Sequence, residues 1–311
     1  AQRDYGCRYT LGFYDREPKL DQVRRVSISV SRGGVRAVYP VNYVLRSDTE
    51  KLDSQARTAA MVPEMYEDGG MTAVAVPLRP VTPARWEVLI AVDVPDRVIV
   101  PETTEPYRLE GKVITPSGAV VRSFERESLP AEMPSLLESV TLKPGSYRAS
   151  VVLSREGMSV PWATHADIEL ASVPTDEFFV AGPHLGEHAP YLPGDADASS
   201  AVTGPLWRFE PLIDGRVRRG EKVEALSSVC FARDDPGTSH TTVRHELVDA
   251  TGTAVDSFEP VRIELDDSDK LRCRALIDVV STSSLEAGRY VVRAFLNGEL
   301  SGSEATFVVS D

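Results

Sequence analysis

The chain has 311 residues, 42% of them hydrophobic, which is enough apolar material for two or three folded domains. Lys and Arg number 34 against 47 Asp and Glu, so the net charge is −13 at pH 7. This sign opposes attraction to phosphate backbones and anionic lipids, and we expect no nucleic acid partner. No apolar run approaches the roughly 20 residues of a membrane-spanning helix, so we expect no membrane span in this chain.

The first 46 residues contain three strand-like segments. Tyr9–Tyr14 is rich in aromatic residues, and apolar residues alternate with serines between Val23 and Ser31. Gly33 and Gly34 predict a tight turn, after which 35–39 returns as the partner strand. Three strands are stable only when one face is covered, so we predict an interaction surface here. Its residues are Val26, Ile28, Val30, Arg36 and Val38.

A short helix follows the predicted hairpin. Ser47-Asp48-Thr49-Glu50 has the form of a capping box, in which the serine and glutamate side chains satisfy backbone donors at a helix start. We predict a helix from Asp48 to Ala60 that ends before Pro63 and links the hairpin to the next domain.

From Met71 onward the chain shows short strand-like runs separated by Pro, Gly, Asp and Ser at intervals of about ten residues, a pattern typical of β-sandwiches. The clearest runs are Thr72–Leu78, Trp86–Val94, Tyr107–Thr115, Ala119–Arg126, Leu136–Leu142 and Tyr147–Ser154.

Two stretches of this region are repeated further along. ITPSGAVVRSFE at 114–125 aligns with VDATGTAVDSFE at 248–259 with a shift of 134, and LKPGSYRASVVL at 142–153 aligns with LEAGRYVVRAFL at 285–296 with a shift of 143. The nine extra residues of the second copy are expected to lengthen the loop near Asp266–Lys270. Each Gly predicts a turn, and the aromatic six residues after it, Phe124 or Phe258, is expected to pack inward.

Tyr147 and Tyr290 begin strands directly after these turns and resemble the tyrosine corner of immunoglobulin-like sandwiches, with a buried ring and a hydroxyl bound to nearby backbone. The repeats therefore predict two sandwiches of one topology. We expect terminal strands at 1–46, a linker helix at 47–62, sandwiches at 63–174 and 205–311, and a Pro- and Gly-rich linker at 175–204. Within the linker, Phe178–Val180 is the one candidate for a strand.

The N-terminal stretch resembles the end of the von Willebrand factor A-related domain of a large family of bacterial proteins. The resemblance rests on Tyr9, Leu11, Gly12, Phe13 and Tyr14, followed by the Arg-rich strand 24–31 and the strand 35–43. It implies that immunoglobulin-like domains follow and that the body of the A domain lies upstream of residue 1. The D-x-S-x-S metal motif of such a domain is not in the sequence; Asp278-x-x-Ser281-x-Ser283 has the wrong spacing, so no metal ligand is carried over.

Other candidates for chemistry are weak. His184 and His188 flank a glycine in the predicted linker, where a solvated loop is favoured over a metal site. The acidic turns Asp195-x-Asp197 and Asp266–Asp269 lack the EF-hand pattern. No G-x-S-x-G or H-E-x-x-H motif occurs, and for His240 and His245 a surface or core position is favoured over a catalytic base. Cys230 and Cys273 are either a disulfide or two small buried residues, and Cys7 is left over.

These observations predict a mainly β protein: a hairpin remnant of an A domain, a short helix and two immunoglobulin-like β-sandwich domains. We expect no catalytic activity and no cofactor or metal. The predicted function is that of a structural or interaction subunit, periplasmic, extracellular or on the cell surface, which associates with itself, with a protein partner or with an upstream A-domain fragment through exposed β-edges. The alternative is a spacer in a cell-surface adhesion protein whose ligand-binding A domain lies upstream.

Overall fold

The computed structural model describes residues 19–31, 33, 40–67, 70–95, 105–128, 135–190, 207–232, 239–265 and 271–311. These residues form a mainly β protein with one α-helix and several sheets, which confirms the predicted fold class.

The helical segments are α1 at Asp48–Ala59 and a 3₁₀ turn at Pro63–Met65. The strands are β1 Val23–Arg25, β2 Asn42–Val44, β3 Thr72–Thr82, β4 Arg85–Asp93, β5 Tyr107–Ile114, β6 Val120–Ser128, β7 Ser135–Leu142, β8 Gly145–Ser154, β9 Trp162–Leu170, β10 Phe178–Pro190, β11 Trp207–Pro211, β12 Arg216–Arg218, β13 Lys222–Ala232, β14 Ser239–Asp249, β15 Ala254–Ser257, β16 Val261–Leu265, β17 Leu271–Ser281, β18 Gly288–Leu296 and β19 Glu299–Ser310.

The first sandwich packs a sheet of order β3-β4-β7 against a sheet of order β6-β5-β8-β9. Alternate residues of β4 and β5 point between the sheets, and Val88, Ile90, Leu109 and Val113 are almost fully buried there. The six predicted strand runs of this region all form strands. Trp86 lies at the margin of the core and donates its indole N–H to the carbonyl of Ala171 at 2.9 Å.

The second sandwich repeats this order with additions. Its sheets are β11-β10-β13-β17 and β12-β19-β18-β14-β15, with β16 paired to the other end of β14. β10, β13 and β17 correspond to β3, β4 and β7, and β14, β18 and β19 correspond to β5, β8 and β9. The predicted repeat is therefore a repeat of topology.

The repeated turns agree in detail. Gly118 has φ +85° and Gly252 has φ +84°, a backbone region that favours glycine. The Gly118 amide donates to the Thr115 carbonyl at 2.9 Å, and the Gly252 amide donates to the Asp249 carbonyl at 3.0 Å. Both hairpins carry an irregularity one residue before the turn, at Val113/Ile114 and at Leu247/Val248.

Both tyrosine corners are confirmed. The hydroxyl of Tyr147 donates to the Lys143 carbonyl, and that of Tyr290 donates to the Glu286 carbonyl, each at 3.0 Å. Phe124 and Phe258 pack against the first and second cores, as predicted from the repeat.

Asp266–Lys270, where the sequence predicts the nine extra residues of the second copy, lies outside the described residues. The shift between the copies is 139 at the ends of β7 and β17 and 143 at Gly145 and Gly288. Four of the nine residues therefore enlarge the segment before β18. Thr282 in that segment is fully buried, and its hydroxyl lies 2.6 Å from the Glu221 carbonyl and 3.0 Å from the Gly220 amide.

The predicted linker at 175–204 contains a strand of the second sandwich. β10 pairs with β13 and with β11, so this sheet begins at Phe178. Because side chains alternate along a strand, Phe179 and Ala181 reach the first core while Phe178 and Val180 reach the second. The sequence indicated a strand only at Phe178–Val180, because Gly182, Pro183 and Gly186 interrupt the alternation beyond it.

The two sandwiches also share a small core of their own. The outer face of β3 and β4 contributes Val76, Leu78 and Leu89, and the facing sheet contributes Phe209 and Leu226. β4 is therefore buried on both faces, which explains its nearly continuous apolar run.

Helix α1 covers the outer face of the first sandwich, where Ala56, Ala59 and Ala60 pack on Val152 and Ala163. The predicted cap at Ser47 is confirmed, since its Oγ accepts the Glu50 amide at 3.1 Å.

Candidate interaction surface

The capping box is completed by a residue of the hairpin segment. The Ser47 amide donates to Oδ1 of Asp21 at 2.8 Å, where the sequence predicted Glu50 as the acceptor. A hydrogen bond from the Ser47 side chain, and to a smaller extent the one from its backbone amide, hold the pKa of the Asp21 carboxyl below its usual value. This contact ties the base of the hairpin to the start of α1.

β1 and β2 form an antiparallel pair in which Val23 faces Val44 and Arg25 faces Asn42. In each facing pair the two residue numbers add up to 67. The numbers 33 and 34 have the same sum, so this register is the one expected for a two-residue turn at Gly33–Gly34. The Val26 amide donates to the Val41 carbonyl at 2.7 Å, and among the described residues no third strand joins this sheet. The strand predicted over Val23–Ser31 is regular only at 23–25, and it pairs with 42–44. The strands predicted at Tyr9–Tyr14 and 35–39 lie outside the described residues.

The two faces of the hairpin differ in exposure. We name the face formed by Val23, Arg25, Asn42 and Val44 the open face, because all four residues are exposed, Val23 by 72% and Val44 by 41%. The other face carries Val26, Ile28 and Tyr43, which are half-buried. Both faces therefore present apolar side chains.

The predicted interaction residues are divided between these environments. Val26 and Ile28 are half-buried, and Val30 is 44% exposed. Arg36 and Val38 lie outside the described residues. Sequence reading missed Val23 and Val44 because it assigned only one apolar face to the strand, although the alternation of strand residues placed Val23 opposite in phase to Val26.

The prediction of a solvated loop around His184 is wrong. This residue lies in β10 and is half-buried between the sandwiches, with Nε2 2.9 Å from the carbonyl of Pro77 in β3. Burial lowers the pKa of His184 to about 4, because the site stabilises the neutral ring, which donates to Pro77, over the charged one.

A Ser-His-Asp chain lies inside the second sandwich. Oγ of Ser227 is 2.8 Å from Nε2 of His245, whose Nδ1 is 2.8 Å from Oδ2 of Asp278. A neutral ring with its proton on Nδ1 satisfies all three groups, donating to the carboxylate and accepting from the hydroxyl. Ser227 and His245 are fully buried between the sheets. The distances match those of a nucleophilic triad, but a buried serine cannot contact a substrate. The two hydrogen bonds instead link the three strands that carry Ser227, His245 and Asp278.

Cys230 and Cys273 form a disulfide across β13 and β17, which settles an alternative that the sequence left open. The bond lies on the sheet face that meets the first sandwich, where Sγ of Cys273 is 3.8 Å from the carbonyl of Pro80.

The described residues contain no group of three or more His, Cys, Asp or Glu side chains arranged to hold a metal ion. The Asp195 and Asp266–Asp269 turns lie outside them. None of the helices within the described ranges combines the length and apolar character needed to cross a membrane.

No protein-family model matches the chain. No curated protein matches it either. Among solved structures, it is similar to an alkylpurine DNA glycosylase, AlkC, of Pseudomonas fluorescens (14% identity, TM-score 0.27, 45% of this chain and 32% of that one). It is also similar to red sea bream transglutaminase (12% identity, TM-score 0.22, 78% of this chain and 31% of that one). A third similar structure is a glycosyl hydrolase family 2 member of Bacteroides cellulosilyticus (11% identity, TM-score 0.27, 73% of this chain and 28% of that one). The chain spans about a third of the length of these proteins, and likenesses this weak carry no functional argument.

Proposed function

We propose that this chain is a non-catalytic structural or interaction subunit that associates, with itself or with a protein partner, through the β1–β2 hairpin. The observation that carries the proposal is a two-stranded sheet with apolar residues on both faces and Val23 exposed by 72%. A hairpin of this size is marginal in water unless further strands or another surface cover it. Within the described residues neither β1 nor β2 pairs with a third strand. An edge of this kind offers backbone groups for strand addition, and the valines offer apolar contact.

The resemblance of residues 9–43 to the end of a von Willebrand factor A-related domain supports the same proposal. In such a domain these strands belong to a larger sheet, and a hairpin apolar on both faces suits a sheet that is covered on both sides. We propose an extracytoplasmic location for the chain, and the disulfide between Cys230 and Cys273 supports it, because such bonds persist mainly in oxidising compartments.

The proposal is tested by hydrogen exchange combined with light scattering. In the monomeric protein, the backbone amides of Val26 and of β1 and β2 should exchange within seconds, because an uncovered hairpin opens readily. They should become protected when the hairpin is bound. Ile28→Asp should abolish that protection, whereas the control Val160→Asp, at a loop position that is 45% exposed, should leave it unchanged. Strong protection of these amides in a monomer would overturn the proposal, since the hairpin would then need no partner.

A second function, a spacer that holds an upstream A domain away from a cell surface, is favoured by the contact between the sandwiches. β10 contributes to both cores, and the His184–Pro77 hydrogen bond and the shared apolar core cross the same boundary. A spacer requires a stiff body, so the two functions are compatible. Small-angle scattering should then fit one rigid arrangement of the sandwiches at all salt concentrations.

A further inference from the structure

The hairpin segment is basic within an acidic protein. Residues 19–47 hold six basic side chains and one acidic side chain, Asp21, whereas residues 48–311 hold 25 basic and 43 acidic ones. Arg25 belongs to the open face and is exposed. Two hairpins facing each other would place like charges together, so charge opposes a symmetric hairpin-to-hairpin contact and favours an acidic counterpart.

An acidic, partly apolar edge lies on the second sandwich. We name residues 254–264, which contain β15 and β16, the acidic edge: Asp256, Glu259 and Glu264 are exposed, against one basic residue, Arg262. Val255 and Val261 are exposed by 45% and 41%. β15 lies at the end of its sheet, where no strand of the described residues pairs with its outer side, and all four of its residues are exposed.

The corresponding edge of the first sandwich differs in charge. β6 carries Arg122 and Arg126 beside Glu125 and Glu127, and Arg126 is paired with Glu138 at 3.0 Å. Its apolar exposure is similar, with Val121 36% exposed at the position equivalent to Val255. The two edges therefore have similar apolar exposure, but β6 is balanced in charge, with two basic and two acidic residues, whereas the acidic edge has one basic and three acidic residues. β6 thus supplies matched control positions.

We propose that the open face of the hairpin in one copy docks on the acidic edge of a second copy. This inference rests on the proposed function and names the partner. Valines meet valines at the centre, and Arg25 meets the carboxylates of the edge. Because the two surfaces are different patches of one chain, the contact is head-to-tail, and repetition gives a ring or an open row of subunits.

The test uses the whole chain in size-exclusion chromatography with light scattering over a range of concentrations. The wild-type chain should form multimers at about 50 mM salt, and its dissociation constant should rise roughly tenfold or more at about 500 mM salt as the charges are screened. Val23→Asp and Val255→Asp should each prevent multimers, while Val121→Asp should leave them unchanged. Circular dichroism checks that each variant is folded.

Mixing the two broken variants gives the decisive result. Val23→Asp retains the acidic edge and Val255→Asp retains the open face, so an equimolar mixture should form a dimer and nothing larger. In the same way, Arg25→Glu should weaken assembly at least about tenfold and Asp256→Lys in the same chain should restore it.

The outcomes separate this inference from the function on which it rests. If multimers are lost in Val23→Asp but not in Val255→Asp, and the mixture forms no dimer, the inference is overturned. The hairpin then remains an interaction element with another partner surface. A monomer whose hairpin amides exchange rapidly would likewise overturn only the choice of a second copy. A monomer with protected hairpin amides would overturn both.

Discussion

The two sandwiches share a topology but solve one equivalent core position with opposite chemistry, apolar in the first and polar in the second. Gly111 in β5 and His245 in β14 are related by the repeat shift of 134, as are Phe124 and Phe258. In the first sandwich the Phe124 ring lies directly over Gly111, so closely that an added Cβ would fall 1.8 Å from Cζ of the ring. In the second, the position holds an imidazole that bonds to Ser227 and Asp278. The same backbone position thus accommodates either an aromatic ring over a glycine or a buried polar side chain, provided that the buried polar atoms have hydrogen-bond partners.

The largest effect is expected from His245→Ala. It leaves a cavity and removes the partner of the buried Ser227 hydroxyl and of Asp278, which together should lower the free energy of unfolding by on the order of 4 kcal/mol. Chemical denaturation followed by circular dichroism measures this, with His240→Ala, an exposed change on the same strand, as the control. A loss below about 1 kcal/mol would mean that the hydrogen bonds of His245 to Ser227 and Asp278 contribute little to the free energy of unfolding.

The contact between the sandwiches should weaken in acid. The folded-state pKa of His184 is about 4, below the ordinary 6.5, so the unfolded chain takes up its proton first on acidification. The stabilising contribution is complete above pH 6.5 and is lost as the pH falls towards 4, amounting to roughly 3 kcal/mol. His184→Gln, which keeps a donor for Pro77, should flatten the pH dependence of unfolding between 6.5 and 4; equal slopes for both proteins would exclude His184 as the cause.

The aromatic cover of the first sandwich is tested by Gly111→Ala. The methyl group displaces the Phe124 ring from its site, and we expect a loss of about 1–3 kcal/mol from this overpacking. Phe124→Leu in the same chain should recover part of the loss, because the smaller side chain leaves room for the methyl group. Additive losses in the double variant, measured by the same denaturation experiment, would show that the two residues do not interact.

The smallest difference concerns the tyrosine corners. Tyr290→Phe and Tyr147→Phe each remove one hydrogen bond to backbone, worth about 1 kcal/mol. Tyr290 is only 7% exposed, and Tyr147 is half-buried, so the loss should be greater for Tyr290 because water cannot replace the bond to Glu286 as easily. Thermal unfolding of both variants compares the two losses; a larger effect at Tyr147 would contradict this explanation.

Sequence alone determined the features that depend on local chemistry and period. Serine at the helix start, glycine with positive φ at the repeated turns and tyrosine after them were predictable, because cap, turn and corner each need one residue type at one offset. Strand-like runs between turn residues predicted β3 to β8 of the first sandwich but not β9. The repeat then carried that topology to the second sandwich, although it could not locate the extra residues before β18.

Tertiary structure decided what depends on contacts between distant residues. β10 is a strand because β13 and β11 satisfy its backbone, although its sequence reads as a linker. His184 meets Pro77, and Ser227, His245 and Asp278 meet one another, only through strand order, which no spacing along the chain reveals. The open face of the hairpin also emerged from pairing, because exposure depends on what the rest of the chain covers, and that is a property of the packed molecule.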